Sequence, residues 1–160
     1  MEATYDALVP VPANAIDLGD WIFQMTDEEY RACSRNHYAM GIVGGAKRLG
    51  IINVEQVAGA LIIQRYAPQL MQKSHVTMIS KESQAFLARI IPFKMEVTWD
   101  MQIVEENAAS SRLRCSLVVV TPLWVKVAGW FIASNYLLKR HLIGETKGFA
   151  RDLTSKLATQ

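Results

Sequence analysis

The sequence is poor in cysteine, proline and glycine, with two, five and nine residues among 160. Two cysteines, Cys33 and Cys115, cannot build a disulfide framework, so the core must hold the fold by itself. So little Pro and Gly excludes collagen-like and low-complexity chains. Charge of one sign is also lacking. Seventeen Lys and Arg stand against fifteen Asp and Glu, a net charge of +2. Nucleic-acid binding needs a concentrated basic face, and none is present, so no nucleic-acid partner is expected. No Ser-His-Asp signature, paired-cysteine motif or dinucleotide fingerprint occurs. The Gly-rich stretch GIVGGAKRLG at 41–50 lacks the Lys-Ser/Thr ending of a phosphate loop. The opening MEATYDALVPVPANAIDLGD has no basic start and no unbroken apolar run, so no secretory leader is expected.

What the sequence does have is apolar bulk. Hydrophobic residues make up 51%, with four Trp, five Tyr, five Phe and seven Met. A chain of this length is expected to form one domain, 1–160, with a core of its own, in the cytoplasm. From Cys115 to Leu138 the only charged residue is Lys126. Thr121-Pro122 interrupts that stretch as a helix start, Thr at the N-cap and Pro in the first turn. The β-branched half before it and the helical half after it predict a buried strand running into a helix. An integral membrane span is not expected.

Along the chain, 4–9 reads as a short strand and 14–24 as a short helix. Thr26-Asp27-Glu28-Glu29 is a capping box that opens a second helix, through about Asn36. Strands are expected near 51–57, 59–66, 73–79, 84–91, 94–104 and 111–120, separated by turn chemistry at Pro68, Lys81-Glu82-Ser83, Pro92 and 106–110. Two of them alternate. Met95, Val97, Trp99, Met101 and Ile103 share one face of 94–104, and Leu113, Cys115, Leu117 and Val119 share one face of 111–119. Alternation of this kind predicts an antiparallel sheet with one dry face. The C-terminal third, about 122–157, is helical in pattern. Trp124, Val127, Phe131, Leu138, Leu142, Phe149 and Leu153 fall within about 60° of one direction on a continuous helix. That stripe is expected to cover the sheet, with a bend near Gly129.

One strand, two short helices, a run of antiparallel strands and a long closing helix resemble the START-like helix-grip superfamily, which includes Bet v 1-type proteins and polyketide cyclases. The resemblance rests on Thr26-Asp27-Glu28-Glu29-Tyr30, on the alternating strands 94–104 and 111–120, and on HLIGETKGFARDL at 141–153. It implies an α+β fold, a curved antiparallel sheet of six to seven strands wrapped around a long C-terminal helix. It also implies a large apolar cavity and a small hydrophobic ligand such as a polyketide, terpenoid or lipid.

Glu145 lies on the apolar helix stripe between Leu142 and Phe149. A carboxylate facing a dry cavity has a raised pKa and can act as a general acid or base. The alternative is a solvated edge residue, or one paired with Arg65 or Arg89. His141, four residues earlier, can relay a proton with it. A metal needs three or four protein ligands, and no others stand at fixed spacing, so no metal or other cofactor is expected. His37 and His75 read as lone structural or exposed residues, although a position on the sheet also makes His75 a ligand-contact candidate. Met95, Val97, Trp99, Met101, Tyr66, Phe131, Asn135, Leu138 and Leu142 complete the expected ligand-binding set. Three functions stay open: an enzyme of cyclisation, dehydration or rearrangement without a cofactor, a carrier or sensor with the same cavity, and a membrane-surface or protein-interaction module. The last would use the apolar exterior of 123–138, which also suits a homodimer.

Overall fold

The computed structural model describes residues 1–131 and 134–158, and their side chains except those of 128–131 and 134. β1 (Glu2–Val9) leads through a short 3-10 turn into α1 (Leu18–Gln24) and α2 (Asp27–Cys33). Asp17 caps α1 by accepting the Asp20 amide. The capping box of α2 is complete: Thr26 Oγ1 accepts the Glu29 amide at 3.2 Å, and Glu29 Oε2 accepts the Thr26 amide at 2.7 Å. Two donors that a helix start leaves open are thereby satisfied.

Six strands follow: β2 (His37–Val43), β3 (Gly50–Val57), β4 (Ala60–Met71), β5 (His75–Leu87), β6 (Ile91–Asn107) and β7 (Ser110–Val120). All pairings are antiparallel, and the seven strands lie in the order β1-β7-β6-β5-β4-β3-β2. The dry face is the expected one: Met95, Val97, Trp99, Met101, Ile103, Leu113, Cys115, Leu117 and Val119 are all buried. The chain closes with α3 (Leu123–Phe131) and α4 (Ser134–Ala158). α4 buries Leu138, Leu142, Phe149 and Leu153 and leaves Lys139, Arg140, Lys147 and Arg151 exposed. Each large apolar side chain so buried stabilises the fold by about 1.5–3 kcal/mol. Trp21 on α1 donates its indole N–H to Asp152 on α4 at 2.7 Å, which fixes the short helices against the long one.

Three expectations need correction. Residues 37–43 read as a post-helix turn and the start of a Gly-rich connection; they form the strand β2 instead. The strands read at 73–79 and 84–91 join into one, β5, which ends at Leu87, and Pro68 and Pro92, read as separators, lie inside β4 and β6. The turn chemistry at 81–83 belongs to a bulge, where the register with β6 shifts between Ser80 and Ser83. The Ser83 hydroxyl donates to Ser80 Oγ at 2.8 Å, and Ser80 Oγ accepts the Arg65 amide, so the irregular backbone carries its own hydrogen bonds. Finally, Trp124 and Val127 are exposed. The stripe puts both in phase with Leu138 on one helix axis above the sheet, but α3 turns them outward, with Trp124 edge-on against Phe93. The bend expected near Gly129 concerns a junction that includes 132 and 133, outside the described residues.

Candidate functional site

β2 and β3 pair with His37 opposite Glu55. On β3, Ile51, Asn53, Glu55 and Val57 are buried, so two polar residues point to the dry side. α4 crosses above them and brings His141 and Glu145, one helical turn apart, over the same spot. The result is a buried cluster of two imidazoles and two carboxylates. His141 Nε2 lies 3.0 Å from Glu55 Oε2 and 3.7 Å from Glu145 Oε2. His37 Nε2 lies 3.3 Å from Glu145 Oε1 and 3.8 Å from Glu55 Oε2. The His37 side chain is 0% exposed and that of His141 is 3% exposed. Tyr30 stacks flat on His37 with ring centroids 3.9 Å apart and covers it from α2. The Tyr30 hydroxyl accepts from the Asn53 amide at 2.9 Å.

The charges in the cluster set one another. Burial works against a charged imidazole at His141, but Glu55, and more weakly Glu145, outweigh it and raise the pKa to about 9. Burial likewise opposes the His37 cation and is outweighed by Glu145 and Glu55, so its pKa is raised. At Glu55 burial disfavours the anion, yet the two histidines hold its pKa below the ordinary carboxylate value. Burial, assisted by Glu55 and Glu145, pushes the Tyr30 and Tyr66 phenols well up, so both stay protonated.

Glu55 also opens onto a cavity between the sheet and the helices. The cavity measures about 80 Å3 and is walled by Val57, Ile62, Met95, Val97, Leu117, Val119 and Leu138, with Leu87, Phe93 and Val125 also lining it. Its polar atoms are few. Gln64 Oε1 and Thr121 Oγ1 line it, are buried, and have no hydrogen-bond partner among the described residues. The space is smaller than the resemblance implied. An aromatic cluster fills the rest of the interior: Phe149 lies 5.5 Å from both Trp21 and Trp99, and Trp99 lies 5.7 Å from Tyr66.

The site residues expected from sequence separate into groups. Glu145 and His141 are adjacent and buried. The partners of Glu145 are His37 and His141, not Arg65, which is exposed, or Arg89, which hydrogen-bonds Tyr38 and Gln56. Met95, Val97 and Leu138 line the cavity. Trp99, Met101, Tyr66 and Leu142 are buried beside it without lining it. His75 lies on the outer face, 2.7 Å from Asp100, because the alternation of β5 buries Val76 and Met78 and turns His75 outward. Asn135 is exposed at the start of α4. The side chain of Phe131 lies outside the described residues. His37 and Glu55 were missed. Glu55 shares a strand face with Ile51 and Val57, a signal visible in the alternation. His37 gave none, since its strand was not read.

No family model and no curated protein matches the sequence. Solved structures do match over nearly the whole chain. A START superfamily protein from Mycobacterium smegmatis is 14% identical, with 99% of this chain and 97% of that one covered and a TM-score of 0.57. A conserved protein from Geobacillus kaustophilus is 8% identical, with 99% and 96% covered and a TM-score of 0.63. Ara h 8.0201 is 12% identical, with 95% and 98% covered and a TM-score of 0.52. At such identities the likeness speaks to the fold and not to the chemistry. With a seven-stranded antiparallel sheet gripping a long C-terminal helix, and two short helices after the first strand, the chain has the START-like helix-grip fold.

Proposed function

We propose that the protein binds a small hydrophobic molecule bearing one hydrogen-bonding group in the cavity between sheet and helices. The observation that carries this reading is the pair Gln64 Oε1 and Thr121 Oγ1, buried in an apolar wall and left without partners among the described residues. A buried polar atom without a partner costs about 1–3 kcal/mol, and a ligand hydroxyl or carbonyl would satisfy it. Ligand pockets usually span about 300–1,000 Å3. A ligand that fills such a volume requires the cavity walls to move apart. Glu55 is the one ionisable side chain among the described residues that line the cavity. If the bound molecule is turned over by cyclisation, dehydration or rearrangement, Glu55 would exchange the proton, with His141 and Glu145 behind it. Without turnover the same cavity serves a carrier or sensor.

Calorimetry with matched pairs of probes, an aromatic alcohol or ketone against its hydrocarbon isostere, tests the reading. The polar member should bind more tightly, with a negative heat-capacity change. Thr121→Val should erase the preference for the alcohol and leave hydrocarbon binding intact. Absence of binding by every probe would overturn it.

A second reading has its own observation. Leu123, Trp124 and Val127 on α3 and Ile90 and Ile91 at the β5–β6 turn are exposed, Leu123 at 77% and Ile90 at 76%. Trp124 packs edge-on against Phe93, which lines the cavity. Apolar surface of this kind suits a membrane surface or a protein partner, and it would place the cavity beside the contact. Co-sedimentation with phosphatidylcholine vesicles, lost in Leu123→Glu, would favour this reading over a freely diffusing carrier.

A further inference from the structure

We infer that His37, Glu55, His141 and Glu145 form a binding site for a divalent first-row transition-metal ion, zinc foremost. One ligand atom from each lies within 4.8 Å of every other, and all four residues are buried. Of the two histidines, His37 is set as a ligand rather than as a hydrogen-bond donor. His37 Nδ1 lies 2.8 Å from the Tyr30 carbonyl. An N–H donated there fixes the tautomer and leaves the Nε2 lone pair facing the cluster, the arrangement that orients metal-bound imidazoles. His37 Nε2, His141 Nε2 and Glu55 Oε2 have no hydrogen-bond partner among the described residues. His141 Nε2 and Glu55 Oε2 stand 3.0 Å apart without the alignment of a hydrogen bond, which leaves both able to turn to a third atom.

Charge and chemistry agree with this assignment. On loading, the ion takes the place of the imidazolium protons; two carboxylates and two neutral imidazoles then carry a charge of −2, which a divalent ion cancels. Two nitrogen and two oxygen donors suit zinc, and four protein ligands complete a tetrahedral shell. A closed shell of this kind is structural: it would fasten α4 to β2 and β3, the edge of the sheet farthest from β1. His141 also lines an outer groove with Asn36, Gln56, Arg140 and Gly144. The inference goes beyond the cavity reading and does not depend on it.

An untagged chain, stripped with a chelator and dialysed, would be titrated with zinc, manganese, iron(II) and cobalt(II). Zinc should bind at one ion per chain and raise the melting temperature by several degrees, since it binds only the folded form. Cobalt(II) should give the intense visible absorption of a tetrahedral site. His141→Gln and Glu145→Gln should weaken zinc binding by at least about 100-fold. Circular dichroism of the stripped variants identifies those that fold, and His37→Gln replaces any that does not. The inference is overturned if no ion shifts the melting temperature of the stripped wild type. It is equally overturned if folded variants bind zinc and give the cobalt spectrum as the wild type does. Probe binding to the stripped protein is read separately, so failure here leaves the cavity reading standing, and the reverse.

Discussion

Asp100 sits on the outer face of β6 and gathers three neighbours. The Thr77 hydroxyl donates to its Oδ2 at 2.6 Å, His75 Nε2 lies 2.7 Å away, and the Gln102 amide donates to Oδ1 at 3.0 Å. Burial opposes the carboxylate, but Thr77, His75 and Gln102 outweigh it and hold its pKa below the ordinary value. A depressed folded-state pKa gives stability that is full above the unfolded value and is lost as pH falls through the folded one. Asp100→Asn should therefore melt below the wild type at neutral pH, and the gap should close below about pH 4. Melting curves from pH 7 to pH 2 check this; a gap that stays constant to pH 2 would show that the carboxylate's charge is not what stabilises the pairing. His75 was singled out from sequence as a possible ligand contact. Its real neighbours lie across the strand pair, and such neighbours follow from register, which the local sequence does not fix.

At the scale of elements, two glycines on α4 behave oppositely. A Cβ on Gly148 would come within 2.1 Å of the Cys33 carbonyl oxygen, because α4 crosses α2 at that residue. A Cβ on Gly144 would meet nothing within 4 Å. Gly144→Ala should gain up to about 1 kcal/mol from helix propensity. Gly148→Ala should lose more than that, because backbone must move to admit the methyl group. Urea unfolding of the two variants measures both; equal gains would mean that the helices do not approach so closely. Composition marks both residues merely as weak points in a helix, so the difference was not legible. Much else was. The alternation of β6 and β7 gave the dry face, and Thr26 with Glu29 gave the start of α2. β2 escaped because HYAMGIV follows a helix directly and its burial does not alternate cleanly. The cluster was half visible: His141 and Glu145 are neighbours by helical spacing. Their partners on β2 and β3 come from elsewhere in the chain, and only the crossing of α4 over that sheet edge unites them.

For the molecule as a whole, the interior is divided between an aromatic cluster around Phe149 and a small cavity toward Leu117 and Val119. The cavity is narrow because its walls are large aliphatic residues, so trimming one should trade stability for room. Leu117→Ala should cost about 2–5 kcal/mol. It should also admit an apolar probe too bulky for the wild type. Unfolding free energies and calorimetry read the two effects; a stability loss with no change in the size of probe accepted would mean that the site collapses instead of enlarging.

The order of the strands has a further consequence, in time rather than in space. β1 pairs only with β7, and contacts such as that between the Thr4 and Ser116 hydroxyls join residues 112 positions apart. Closing so long a loop must precede any gain from the contact, which places the chain among folds that form in milliseconds to seconds. During synthesis β1 emerges with no partner and waits while five other strands are made. Its unpaired edge is then a target for chaperones and for wrong pairings until β7 arrives, so the time taken to translate residues 10–120 sets how long that exposure lasts.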